Sequence, residues 1–159
     1  MTTLTVFRAG LFALTIVALG FVPGVSVANP PSATGNGDFM VNGSLRTFSF
    51  SAILQPNGNV AGNADVHIPA TDTFVQMAID CLGFLTTNTV LVGGTITKSN
   101  VSSMSMGQTV IFEAQDNGKG NDSPPDRISL LFPAGTLDCN ASVDLGLMDL
   151  QHGNVKVRP

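Results

Sequence analysis

The sequence predicts an all-β domain, either an antiparallel β-sandwich or a small, partly open barrel, carrying one disulfide. Three observations predict it. Apolar and polar residues alternate with a period of two through most of the chain beyond residue 37. Gly, Asn and Pro clusters recur between strand-like runs at intervals of about 8–12 residues. Helical spacing is scarce, since only 101–106 offers a helical turn and its Ser-rich composition reads equally well as an irregular connection.

Residues 1–28 read as a secretory signal peptide. Arg8 is the only charge, the run 11–22 is 12 apolar residues, Pro23-Gly24 breaks it, and Ser26-Val27-Ala28 sets small residues at a cleavage site. The apolar run is too short to span a membrane, which takes about 20 residues, and no later run reaches that length. The expected mature chain of 131 residues (159 minus 28) has no membrane span and is secreted, periplasmic or at the cell surface. Residues 29–37, Asn-Pro-Pro-Ser-Ala-Thr-Gly-Asn-Gly, read as a flexible leader, and 38–159 as a single β domain.

Within that domain Phe48, Phe50, Ala52 and Leu54 fall on one face of a strand, with Thr47, Ser49 and Ser51 on the other. Pro56-Asn57-Gly58-Asn59 then predicts a hairpin with positive φ at both Asn57 and Gly58, and 60–68 a return strand. The apolar stretch 74–85 follows. Next comes 89–97, with a bulge or bend expected at Gly93-Gly94. Val110, Phe112 and Ala114 alternate with Thr109, Glu113 and Gln115, and further strands are expected at 127–132 and 151–157.

Composition narrows the function. The chain of 159 residues is 43% hydrophobic, 11% charged and 6% aromatic, too apolar for a disordered tail and too short for two ordinary domains. Its net charge of −4, with no Trp or Tyr, repels phosphate backbones and offers little for bases to stack on, which argues against nucleic acid as a partner. Cys81 and Cys139, an even number in an oxidising compartment, read as one disulfide closing a loop of about 58 residues.

The richest local chemistry is the loop 116–126. Asp116, Asn117, Asp122 and Asp126 offer oxygens that suit calcium, a hard cation wanting about six to eight of them. The loop fails the EF-hand spacing, because Gly118 and Gly120 stand where donors belong. Its approach to a β-roll turn is a single copy. The structural reading of the same residues is a polar hairpin loop, with Asn117-Gly118 as the turn and Pro124-Pro125 stiffening the exit. Catalytic motifs are lacking: there is no nucleophile elbow, no zinc helix and no phosphate loop, and His67 and His152 stand far apart with strand residues around them. No catalytic residue is assigned, and no cofactor beyond the calcium candidate.

The succession Gly43 to Phe48-Ser49-Phe50, Ile79-Asp80-Cys81-Leu82, Val92-Gly93-Gly94-Thr95-Ile96, Asp116-Asn117-Gly118 with Pro125-Asp126, and His152-Gly153-Asn154-Val155-Lys156-Val157 resembles a family of small exported bacterial β-domains, the post-COAP-like domains. The resemblance implies an all-β fold with no established activity and supplies no functional residues. It also implies that the Asp-Asn-Gly loop and the Gly-Asn-Val ending belong to the scaffold. The expectation is therefore a secreted, non-enzymatic module for binding, surface or structural roles. A calcium-stabilised adhesion-type domain is the alternative, and an extracellular hydrolase a more distant one.

Overall fold

A computed structural model describes residues 29–119 and 122–159. The expected signal peptide, 1–28, lies outside the described residues, as do Gly120 and Asn121 of the acidic loop. Ten strands follow in order: β1 (Ser32–Val41), β2 (Ser44–Leu54), β3 (Val60–Ile68), β4 (Thr73–Phe84), β5 (Thr89–Ser99), β6 (Thr109–Gln115), β7 (Arg127–Ile128), β8 (Phe132–Pro133), β9 (Met148–Asp149) and β10 (His152–Arg158). All pair antiparallel in one sheet, in the order β10-β1-β2-β3-β4-β5-β6-β7-β9, with β8 also on β6. Of the two expected architectures, the chain takes the curled, partly open one. The connections 42–43, 69–72 and 100–108 lie at one end of the sheet, and 55–59, 85–88 and the described parts of the β6–β7 connection, 116–119 and 122–126, at the other, because each hairpin reverses the chain.

Residues 32–37, read from sequence as leader, are instead the first half of β1, paired on both sides with β10 and β2. The glycines that suggest flexibility serve close packing. A Cβ on Gly35 would strike the Phe50 ring, and one on Gly37 would strike the backbone of His152 and Gly153. The tight type I′ turn also falls earlier than expected. Asn42 and Gly43 take φ of +50° and +79° and join β1 to β2 in two residues. At the expected site only Gly58 is positive, at +84°. There the Gln55 carbonyl accepts the Gly58 N–H at 2.9 Å, and the Gln55 N–H donates to the Asn59 carbonyl at 2.7 Å, a longer loop that needs positive φ once.

The β4–β5 pair explains the disulfide. Val75, Met77 and Ile79 face the core, then Asp80 bulges out opposite Gly93 and Gly94, so the inward positions resume at Leu82 and Phe84. The slip turns Cys81 to the outer face. Cys139 meets it there with a Cα–Cα separation of 6.0 Å. Gly83 and Gly93 leave room for the Cys139 segment, since a Cβ at Gly83 would meet the Cys139 carbonyl and one at Gly93 the Leu137 side chain. This cover makes Thr89 to Gly94 buried on both faces, Leu91 completely.

The single strand expected at 127–132 is broken into β7 and β8. Between them the Ser129 hydroxyl accepts the Glu113 N–H at 2.8 Å and donates to the Leu130 carbonyl at 2.9 Å. A side chain here takes a place in the ladder that backbone normally fills, which turns Leu130 and Leu131 toward the core cluster.

Inside the curl a chain of rings links the walls. Phe39 and Phe48 lie 6.0 Å apart edge to face, Phe48 and Phe50 6.2 Å stacked, and Phe50 and Phe112 5.1 Å edge to face, the last spanning from β2 to β6. Each buried ring contributes roughly 1.5–3 kcal/mol by removal from water.

Candidate functional site

Beside these rings the interior is not filled. A cavity of about 270 Å³ lies within the curl, walled by Phe48, Phe50, Phe112, Val75, Met104 and Leu131 among others. Alternation along β2, β3 and β4 supplies most of the wall, and the loop 100–108 contributes Val101 and Met104. Asn100 holds that loop in place: its Oδ1 accepts the Phe74 N–H at 2.8 Å and its Nδ2 donates to the Asp72 carbonyl at 2.8 Å. Met106, at the tip, is 76% exposed.

Three polar side chains of the lining are already occupied. The Ser129 hydroxyl both accepts and donates within the protein, and the Thr73 hydroxyl bonds that of Thr71 at 2.7 Å. Asp65 sits out of phase with the inward Ala64 and Val66, and its carboxylate accepts from Gln76 at 3.1 Å. Arg46 differs. It shares the phase of Phe48 and Phe50, lines the cavity, and makes no ion pair among the described residues. Among the described residues two buried side-chain donors lack a hydrogen bond, Nε of Arg46 and Nε of Arg127. The second lies 3.0 Å from the Asp149 carboxylate, whereas the first faces no carboxylate.

The calcium candidates occupy a different place, at the seam where the curled sheet nearly closes. Asp126 is 7% exposed; its Oδ1 accepts the Asn117 N–H at 2.7 Å and its Oδ2 the Val155 N–H at 2.7 Å. Asp116 accepts the Gly118 N–H at 2.9 Å and the Val157 N–H at 3.0 Å. Asn117 Nδ2 donates to the Pro125 carbonyl at 2.6 Å, while Asp122 is exposed. Every oxygen of the two seam carboxylates thus takes a backbone N–H, and those of Val155 and Val157 belong to the strand edge that β1 leaves free. Among the described residues no group of three or more His, Cys, Asp or Glu is arranged to hold a metal ion.

The histidines stay apart. His67 Nε2 lies 3.2 Å from Asp72, and His152 Nδ1 lies 3.1 Å from Asp38, each beside one carboxylate and neither in the cavity wall. Glu113 is buried on the outer face of β6, where its carboxylate accepts the Leu145 N–H at 3.2 Å. Burial pushes its carboxyl above the ordinary value and nearby Asp144 adds to the rise, against the lowering effects of the Leu145 bond and Arg127.

Neither Arg46 nor the cavity is among the candidates that the sequence offers. A signal for Arg46 exists, since extending the Phe48–Phe50–Ala52 phase back by one step places a charged residue on an apolar face. The cavity has none, because it depends on how far the sheet curls.

Together these features define a class: a disulfide-bonded, curled antiparallel sheet with an apolar interior chamber and a carboxylate-bridged seam. No protein-family model, no curated protein and no solved structure matches the chain.

Proposed function

We propose that this protein is an exported, non-enzymatic binding module that takes a small apolar molecule inside its curled sheet. The observation that carries the reading is the cavity of about 270 Å³ walled by aromatic and aliphatic side chains. Open to solvent on one side, it lies just under the about 300 Å³ at which small-molecule pockets begin, and like them it is apolar with a few placed polar groups. Met104 gives the wall an adaptable side, methionine being the side chain best able to reshape around a guest. The disulfide accords with an oxidising compartment. The separate histidines, each with one carboxylate, favour a module over a hydrolase.

Titration of the full chain with 1-octanol, followed by methyl and amide NMR shifts, tests this. Saturable shifts at Val75, Met104 and Leu131 are expected, and Ala64→Leu, which fills part of the chamber, weakens them. Absence of saturable binding, or shifts untouched by the filled chamber, would overturn the proposal.

A further inference from the structure

We propose that the ligand is an apolar monocarboxylate, its acid group bound by Arg46 and its tail lying against Phe48, Phe50 and Met104. This inference rests on the reading of the chamber as a binding site and adds the chemical class of its occupant.

Four observations carry it. Arg46 is the one charged side chain whose strand phase points it into the chamber, since the other charged lining residue, Asp65, is turned outward and bonded to Gln76. Its Nε is buried and makes no hydrogen bond, although a guanidinium donor removed from water without a partner is costly. No carboxylate of the described residues pairs with it, in contrast to Arg127, which has both Asp149 and the Leu147 carbonyl at 2.7 Å. Of the other polar side chains of the wall, Ser129 and Thr73 are committed to internal bonds and Ser49 and Ser103 are neutral hydroxyls, so an entering ligand meets a largely apolar surface with one charged donor.

The guanidinium fork matches a carboxylate, offering two parallel N–H donors in its plane, and each such bond is about twice as strong as a neutral one. At an interior packing density of about 0.74, a chamber of this size holds roughly 200 Å³ of ligand, which suits an acid of about eight to ten carbons. The chain is acidic overall, with a net charge of −4, so its long-range field opposes anions and the preference must come from local contact.

Calorimetric titration of the full chain with octanoate and with 1-octanol, at neutral pH and fixed salt, separates head group from tail. Octanoate is expected to bind about tenfold more tightly than octanol, the value of one partly buried charge-assisted contact. Arg46→Met is expected to abolish that preference while octanol still binds, and Arg46→Lys, a point charge without the fork, to keep part of it. Should Arg46→Met fail to fold, Arg46→Gln takes its place in the same comparison. If octanol binds but octanoate binds no more tightly, or if octanoate affinity survives loss of the guanidinium, the anionic ligand is overturned while the apolar chamber stands. If neither compound binds, the chamber reading fails and this inference falls with it.

Discussion

The Asp126 carboxylate accepts the Val155 backbone N–H at 2.7 Å, joining the last strand to the far side of the curled sheet. Asp116 does the same for Val157 at 3.0 Å. These side chains stand in for a missing strand at the seam, and each also anchors its own loop through Asn117 or Gly118. Asp126→Asn turns one acceptor into a donor and strands a buried N–H. It is expected to cost about 2–3 kcal/mol in urea unfolding, and Asp116→Asn, at a more accessible position, about 1 kcal/mol. Unchanged midpoints for both would show that the seam is not held this way.

The same geometry bears on calcium. Asp116 and Asp126 already serve four backbone donors, so a cation at Asp116, Asn117, Asp122 and Asp126 has to share or displace them. Millimolar calcium is expected to leave the thermal unfolding midpoint where chelator leaves it. A rise of several degrees would restore the calcium-stabilised reading.

Glu113 makes stability depend on pH in a definite direction. Its carboxyl is raised in the folded chain, so the folded state holds that proton more firmly than the unfolded state. The resulting stabilisation is fully present below the ordinary value near 4.5 and is lost as pH rises through the raised folded value. Glu113→Gln keeps an acceptor for the Leu145 N–H without the buried charge. The difference in unfolding free energy between variant and native chain should therefore move in the variant's favour from pH 4 to pH 7. A difference flat in pH would remove this account.

The disulfide fastens the segment that covers the outer face of β4 and β5. It closes a loop of 58 residues, and replacing both cysteines by serine is expected to cost about 4 kcal/mol in the chain-entropy model. Gly83→Ala probes the same contact without touching sulfur, because a Cβ there meets the Cys139 carbonyl, and it too should destabilise. A Gly83→Ala protein as stable as the parent would mean the segment does not press on β4.

Local rules made much of this fold legible. Phe48, Phe50 and Ala52, and likewise Val110, Phe112 and Ala114, are buried where alternation puts them, since a strand's period of two is a property of the backbone itself. The pairing of Cys81 with Cys139 was readable because only two cysteines exist. Glycine misled the reading in one region. Gly35 and Gly37 look like a loose leader in the chain, yet they are small because Phe50 and β10 press against them, and β10 lies more than a hundred residues away. Ser129 broke an expected strand for a similar reason, its hydroxyl finding a partner on β6.

What the sequence by itself determined is the alternation, the turns, the cysteine pair and the acidity, all of which act between near neighbours or follow from counting. Only the tertiary structure decided that one sheet curls rather than two sheets stacking, that Asp116 and Asp126 bridge its edges, and that Arg46 faces an unfilled interior. Curl and closure are sums of twist, bulges and contacts across long separations. Their outcome is fixed when distant strands meet, not when each strand forms.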